Sequence, residues 1–207
     1  MKNSLPDPQS TPHIRMVEVR VLSDNWYTLK QNTFDYLRKD GTWQRQSRET
    51  YDRGDGAVLL LFNAAQQTVV LARQFRMPVF AHGESGGQSD GYLIEACAGL
   101  LDGMDAAQRI ALEVQEELGF RISTPRKLFE AFMSPGSVTE ILHFFAANYE
   151  PGDRTNQGGG VHAEGEDIDV LELPFDKALD MVKNGTIRDG KTIMLLQHAA
   201  LVGLACL

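Results

Sequence analysis

The sequence predicts a mixed α/β fold in which a mixed sheet lies between helices. Two observations predict it. Short runs rich in Val and Leu, typical of buried strands, alternate with segments whose apolar residues recur at helical spacing. One of those helical segments lies in the stretch from Gly99 to Phe120, GLLDGMDAAQRIALEVQEELGF.

The first quarter of the chain is predicted to contain a tail and a β segment. Residues 1–13 carry three prolines among polar residues, which is typical of a disordered tail. Residues 14–55 form the β segment, in which Val17, Val19 and Val21 alternate with polar residues and indicate a half-buried strand. The segment is too small and too polar to fold alone, so we expect it to pack on the main body or on a second subunit.

Residues 56–207 are predicted to form the main domain. Strands are expected at 57–62, 68–75, 92–98, 127–133, 139–149 and 167–173, and helices at 175–183 and from 191 to about 204. Residues 82–91 are rich in Gly and Ser and are expected to form a polar loop near the site, as a lid or a hairpin tip.

The helix within the central stretch has clear ends and one apolar face. Asp105 is suited to cap its N-terminus, and Gly119 is suited to end it. Its apolar residues at helical spacing should face the core. They are Ala107, Ile110, Ala111, Val114 and Leu118.

Three glutamates crowd the end of this helix. Glu113, Glu116 and Glu117 lie at positions i, i+3 and i+4, where like charges repel and where the helix dipole favours cations. They form either a solvated polar face, the usual explanation of a charge run, or ligands for Mg²⁺ or Mn²⁺. Arg109, one turn earlier, can neutralise only one of them.

Composition excludes several classes of function. Apolar residues make up 43% of the chain and charged residues 23%, as in ordinary globular proteins. The net charge of −8 argues against a nucleic-acid partner. Two cysteines are too few for a disulfide scaffold, and no signal peptide or membrane-spanning run is recognisable. We therefore expect a cytoplasmic protein with no membrane partner.

A glycine motif near the C-terminus matches the P-loop pattern, from Gly185 to Thr192. A P-loop must leave a strand of a parallel sheet and open a helix, whereas this segment follows an amphipathic helix and only fifteen residues remain after it. A helix–loop–helix connection with Asp189 as N-cap is the preferred interpretation. A P-loop kinase or NTPase is therefore disfavoured.

The central stretch resembles the signature of the Nudix hydrolases. In that family a glycine, five residues and a Glu are followed, after a spacer, by Arg-Glu-hydrophobic-any-Glu-Glu-any-Gly-hydrophobic. Here Leu112 to Phe120 match the end of the signature at every place except the first. Asp105 replaces the Glu, the spacer is one residue short, and Leu112 replaces the basic residue, for which Arg109 is a substitute. The intact glutamates count against a metal-free binding or sensor module.

The resemblance covers the chain from about Val21 to Leu196 and is greatest to the GDP-mannose pyrophosphatase group, a relative of the ADP-ribose pyrophosphatases. Segments that carry it include Arg73-Gln74-Phe75-Arg76, Ile94 to Asp102, and Ile187 to Thr192. The resemblance implies a Nudix α/β/α sandwich and a homodimer joined through the N-terminal β segment. It also implies metal-dependent hydrolysis of GDP-mannose to GMP and mannose 1-phosphate, with ADP-ribose or another ADP-sugar as the alternative substrate.

The resemblance also implies a set of site residues. Substrate is expected to bind at Trp26, Ser47, Arg48, Glu49, Arg76, Gly99, Leu100, Glu140 and Lys191. Metal ligands are expected at the backbone carbonyl of Ala98 and at Glu113, Glu117 and Glu166, with Glu116 in the same catalytic cluster and Glu164 as a general base.

Several of these residues have other interpretations. Trp26 could fill the core as a strand residue instead of stacking on a base, and Arg48 and Glu49 could be a surface pair. Arg76 could cap a strand end, although a guanidinium suits a diphosphate. Glu164 could be a solvated loop carboxylate.

Overall fold

A computed structural model describes residues 13–84 and 89–207. The predicted disordered tail lies outside the described residues, except for His13. The chain forms two compact units. Of the described residues, 13–53 and Ser134–Glu140 form the first, and the remainder of Gly54–Met133 and Ile141–Leu207 forms the second.

The first unit is built on a three-stranded antiparallel sheet of β1 (Ile14–Asp24), β2 (Thr28–Leu37) and β3 (Trp43–Asp52), with β2 in the middle. Gly41, at φ 83°, closes the turn between β2 and β3. The segment Ser134–Glu140 joins the end of β3, because the backbone N of Tyr51 donates to the carbonyl of Ser137 at 2.7 Å.

Strand β1 does not have the predicted half-buried pattern. Val19 and Val21 are each 55% exposed in the single chain. The alternation correctly predicts a strand, but within one copy of the chain no element of the first unit covers this apolar side among the described residues.

The second unit contains a seven-stranded mixed sheet, which confirms the predicted fold class. Its strands are β4 (Gly56–Asn63), β5 (Thr68–Phe75), β6 (Tyr92–Glu95), β7 (Cys97–Leu100), β8 (Arg126–Phe132), β9 (Ile141–Asn148) and β10 (Asp169–Pro174). The order is β10-β5-β4-β9-β8, with β6 paired to β5 and β7 paired to β4. Only β4 and β9, among the described strands, run parallel to each other.

Helices cover both faces of this sheet. They are α1 (Met77–Glu84), α2 (Ala106–Glu113), α3 (Phe175–Lys183) and α4 (Gly190–Val202). Alternate residues of β4 point to opposite sides, so Val58 and Leu60 pack with α3 and α4, while Leu59 and Leu61 pack with α2. None of the helices in residues 13–84 and 89–207 combines the length and apolarity needed to span a membrane.

Two predicted elements differ from the structure. The single strand expected at 92–98 is two strands, β6 and β7, which pair with different neighbours. They separate at Ala96, whose backbone N donates to Oγ1 of Thr192 at 2.7 Å instead of to a strand. The polar loop expected at 82–91 is helical as far as Glu84 because α1 extends into it; residues 85–88 lie outside the described part of the chain.

The segment that matches the P-loop pattern joins α3 to α4, as predicted. Asp189 caps α4 and accepts from the backbone N of Thr192 at 2.9 Å. Because a helix and not a strand precedes the segment, it lacks the setting that a P-loop requires.

Candidate active site

The helical stretch that starts with α2 is capped at Asp105 and ends at Gly119, as predicted. Oδ1 of Asp105 accepts from the backbone N of Ala107 at 3.0 Å and of Gln108 at 3.1 Å. Gly119, at φ 81°, ends the helical stretch. The predicted apolar face is confirmed for Ile110, Val114 and Leu118, which are fully buried in the core. Ala107 and Ala111 are partly buried.

The last part of this stretch is not a regular α-helix. After Glu113 the backbone widens into one π-helical turn, Val114–Leu118. Such turns occur mostly as single insertions in α-helices and are frequent at functional sites. Glu116 and Glu117 both lie in this turn.

Two of the three glutamates are buried, so the interpretation of a solvated polar face is wrong for them. Glu113 is 5% exposed and Glu117 is 1% exposed, whereas Glu116 is partly exposed. A buried carboxylate is costly unless charges, hydrogen bonds or a metal ion compensate for it.

Arg109 compensates for Glu113. Its Nη2 lies 2.6 Å from Oε1 of Glu113, and its Nη1 lies 3.8 Å from Oε2 of Glu116. Its Nε donates to the carbonyl of Leu100 at 3.1 Å, so the guanidinium is anchored to β7. Leu112, at the place where the signature has a basic residue, is exposed.

Strand β7 lies directly beside the carboxylate of Glu113. A β-carbon built on Gly99 would overlap the Oε1, Cδ and Cγ atoms of Glu113. Ala98 and Leu100 flank this glycine, and all three residues pair with β4. Glycine at residue 99 therefore makes room for the carboxylate beside the backbone of β7.

A run of three glycines brings Glu166 to the same place. The backbone N of Gly159 donates to the carbonyl of Glu117 at 2.9 Å, and that of Gly160 donates to the carbonyl of Glu116 at 3.1 Å. Gly158, Gly159 and Gly160 all have positive φ, which side chains rarely allow. Oε2 of Glu166 then accepts from the backbone N of Val161 at 2.8 Å, next to the π-helical turn.

The carboxyl group of Glu117 is the most perturbed in the site. The pKa of Glu117 is raised to about 8: burial is the largest cause, and the charges of Glu113 and Glu166 act in the same direction, while a hydrogen bond from the thiol of Cys97 and the charge of Arg76 oppose them. Its Oε2 is buried and has no hydrogen-bond partner among the described residues.

This donor set fits a hard divalent cation. Carboxylate and carbonyl oxygens are the ligands that Mg²⁺ and Mn²⁺ prefer, and a cation would satisfy the orphaned oxygen of Glu117. Among residues 13–84 and 89–207, no three His, Cys, Asp or Glu side chains stand in a ready-made ligand arrangement. The carboxylate of Glu113 is paired with Arg109 in this structure.

Two cationic side chains, Arg76 and Lys191, meet at Glu95, the last residue of β6. Nε of Arg76 donates to Oε2 of Glu95 at 2.7 Å, and Nζ of Lys191 donates to Oε1 of the same carboxylate. Lys191 also contacts Oδ1 of Asp189 at 2.9 Å. Burial lowers the pKa of the Arg76 guanidinium, but the charges of Glu95, Glu117 and Asp189 outweigh burial, and the net effect raises that pKa.

The other expected substrate-binding residues belong to the first unit. Trp26 lies between β1 and β2 and is 81% exposed, so in this chain it does not fill the core. Ser47, Arg48 and Glu49 are exposed on β3; Arg48 donates to the carbonyl of Ser47 at 2.8 Å and forms no ion pair with Glu49 among the described residues. Glu140 lies 3.2 Å from Nε of Arg53.

The side chain of Glu164 lies outside what the structure describes. Its backbone belongs to a short 3₁₀ turn, His162–Glu164, two residues before Glu166.

Several residues of the site have roles that the sequence does not predict. Glu95 binds both cations, Thr192 separates β6 from β7, and Cys97 donates to Glu117. An acidic residue inside the apolar run from Tyr92 to Ala98 was the one available signal for Glu95. The partners of Thr192 and Cys97 are distant in sequence, and no local pattern marks them.

Known proteins are similar to this sequence over most of its length. Residues 13–51 match the model of a family described as the GDP-mannose pyrophosphatase NudK N-terminal domain. A GDP-mannose pyrophosphatase of Pectobacterium atrosepticum is 54% identical over 190 residues, which are 92% of this chain and 95% of the relative. One of Escherichia coli O1:K1 is 53% identical over 188 residues, 91% of this chain and 95% of the relative.

This degree of identity, over nearly the whole of both chains, agrees with the observed fold and with the glutamates of α2 and the π-helical turn. The chain is an enzyme that belongs to the GDP-mannose pyrophosphatase family of the Nudix hydrolases.

Proposed function

We propose that the enzyme hydrolyses the pyrophosphate bond of GDP-mannose and releases GMP and mannose 1-phosphate. The names of relatives more than half identical to this chain support the substrate. The structural observation that supports the reaction is the buried, unsatisfied Oε2 of Glu117, in the same unit as the cations Arg76 and Lys191.

The carboxylates of Glu113, Glu117 and Glu166, with the carbonyl of Ala98, would hold Mg²⁺ or Mn²⁺. When bound, a divalent cation would neutralise charge on the diphosphate and lower the pKa of a coordinated water. Glu116 completes the acidic cluster. Arg109 holds the carboxylate of Glu113 in place through its contact at 2.6 Å.

The other residues bind and orient the substrate. Arg76 and Lys191 bind oxygens of the diphosphate, since a guanidinium forms paired hydrogen bonds with phosphate and an ammonium adds charge. The backbone at Gly99 and Leu100 lies against the reacting group. Glu164 accepts the proton of the attacking water as general base.

The first unit supplies contacts to the nucleoside. Trp26, with its exposed ring, stacks on the base, and Ser47, Arg48, Glu49 and Glu140 supply hydrogen bonds and charge. These contacts are proposed for a homodimer, in which the exposed apolar side of β1 packs on a second copy of the chain. We place the enzyme in the cytoplasm, in agreement with its two unpaired cysteines, Cys97 and Cys206.

A panel of nucleotide sugars tests the proposal. GDP-mannose, ADP-ribose, ADP-glucose and GTP are each incubated with the enzyme and Mg²⁺, and the products are separated by ion-exchange chromatography. We expect the highest kcat/KM for GDP-mannose, with GMP and mannose 1-phosphate in equal amounts. A higher kcat/KM for ADP-ribose than for GDP-mannose would show that the preferred substrate is an ADP-sugar. Loss of turnover in a chelator, restored by Mg²⁺, tests the metal requirement.

A further inference from the structure

Glu95 is a buried carboxylate that has no part in the reaction as described so far. Its side chain is 3% exposed, yet both oxygens are occupied by cations: Oε2 by Nε of Arg76 at 2.7 Å, and Oε1 by Nζ of Lys191. Burial raises the pKa of Glu95, but Lys191 and Arg76 outweigh burial and hold that pKa below its ordinary value. The carboxylate is therefore ionised at neutral pH.

Three separate elements meet at this carboxylate. Glu95 ends β6, Arg76 follows directly after β5, and Lys191 is the second residue of α4. Strands β5 and β6 pair with each other, and Thr192 fixes the start of α4 to the backbone N of Ala96 at 2.7 Å. The sheet and α4 thus hold both cations beside one acidic side chain.

Two cations repel each other and, without a shared partner, would move apart toward water. The contact with Glu95 uses Nε of Arg76, and within the described part of the chain both Nη groups of that guanidinium remain for another acceptor. Arg76 is 39% exposed, which leaves it accessible to an anion from solvent.

We infer that Glu95 is a positioning residue for the diphosphate: it holds Arg76 and Lys191 together so that one pyrophosphate group meets both. This inference rests on the proposed function. Glu95 does not touch the substrate, and it acts through the two cations.

Kinetics of Glu95→Gln and Glu95→Asp test the inference. Gln keeps the shape of the side chain at residue 95 but removes its charge. Asp keeps the charge but is one methylene shorter. Neither side chain should therefore hold both Arg76 and Lys191. We expect KM for GDP-mannose to rise about tenfold, the effect of one charge-assisted hydrogen bond, with kcat changed less than about twofold. Asp169→Asn is the matched control. It removes an exposed carboxylate that lies 2.9 Å from Arg73, and it should leave KM unchanged.

A double variant separates positioning from a general effect on stability. In a Lys191→Ala background, one of the two cations is already absent, so Glu95→Gln should raise KM less than about threefold. Equal rises in KM with and without Lys191 would overturn the inference. So would an unchanged or lowered KM in the single variant, since a lowered KM means that Glu95 competes with substrate for the cations.

A measurement on the wild-type protein covers the case in which the variants do not fold. Pyrophosphate is titrated into ¹⁵N-labelled enzyme in a chelator while the Nε–H signal of Arg76 is followed by NMR. We expect the signal to shift and to stay protected, because Glu95 keeps its hydrogen bond. Loss of the signal through exchange with water, or no shift at all, would contradict positioning. If the signal shifts as expected but the enzyme with Mg²⁺ does not hydrolyse GDP-mannose in a separate assay, the proposed function alone is refuted.

Discussion

The carboxylate of Glu113 occupies the space where residue 99 would carry a β-carbon, and Gly99 leaves that space open. The two residues come from different elements, Glu113 from the end of α2 and Gly99 from β7. Their contact sets the distance between the acidic end of the helix and the backbone carbonyl of Ala98, which is a proposed metal ligand.

Gly99→Ala should therefore displace Glu113. We expect kcat/KM for GDP-mannose to fall at least about tenfold, and the free energy of unfolding to fall by about 1–3 kcal/mol, as for other overpacked sites. Steady-state kinetics and urea unfolding measure the two effects. Gly152→Ala is the control, because a β-carbon there would meet no atom within 4 Å. A Gly99→Ala variant with normal kcat/KM would show that the position of Glu113 does not matter for turnover.

Glu117→Gln should nearly abolish turnover without unfolding the protein. The amide keeps the volume of the side chain but removes the charge that a divalent cation requires. Turnover with Mg²⁺ and the circular dichroism spectrum are the measurements. Retention of most of the wild-type turnover would contradict the role of Glu117 as a metal ligand.

Glu117→Gln should be more stable than the wild type at pH 8 when metal is chelated. The pKa of Glu117 is about 8 in the folded chain and 4.5 ordinarily, so the folded chain keeps a proton that the unfolded chain releases. Wild-type stability should then fall as pH rises from about 4.5 to 8, by about 5 kcal/mol in total, and level off above. Urea unfolding in a chelator at pH 5 and pH 8 measures this slope. An equal slope in Glu117→Gln would refute it.

Val19→Asp should weaken the proposed homodimer. The side chain is more than half exposed in one copy of the chain, and a charge there would be buried if a second copy covered it. Light scattering at micromolar concentration should give a dimer for the wild type and a smaller average mass for the variant. Gln66→Asp, in an exposed turn of the second unit, is the control. A fully active wild-type monomer would contradict the prediction.

Lys191→Ala should raise KM for GDP-mannose more than it lowers kcat, because Lys191 binds the diphosphate and takes no part in activating water. It also removes one of the two cations from the buried carboxylate of Glu95, so thermal melting must show that the variant is folded. Steady-state kinetics with GDP-mannose and with GTP are compared. Preferential hydrolysis of GTP to GDP by the wild type, lost in Lys191→Ala, would favour the P-loop interpretation instead.

The sequence predicted those features that depend on local pattern. Alternating valines gave β1, helical spacing gave α2, and Asp105 and Gly119 marked where its stretch begins and ends. The mixed sheet followed from the order of strands and helices.

Features that depend on contacts between distant residues could not be predicted. The break at Ala96 exists because Thr192, 96 positions later, accepts its N–H. The burial of Glu117 depends on Gly158–Gly160 folding back on the π-helical turn, and local periodicity describes neither. The exposure of Val19 could not be predicted either, since alternation shows that one side of a strand is apolar but not which molecule covers it.

The break between β6 and β7 also bears on how this enzyme could change its substrate. Glu95, beside the cations, and Ala98, beside the glutamates, are three positions apart on one stretch of backbone. An insertion or deletion there would shift the proposed phosphate-binding and metal-binding groups relative to each other, whatever base or sugar the substrate carries. Divergence toward another nucleotide sugar should therefore leave this short segment at constant length and alter residues such as Trp26 in the other unit.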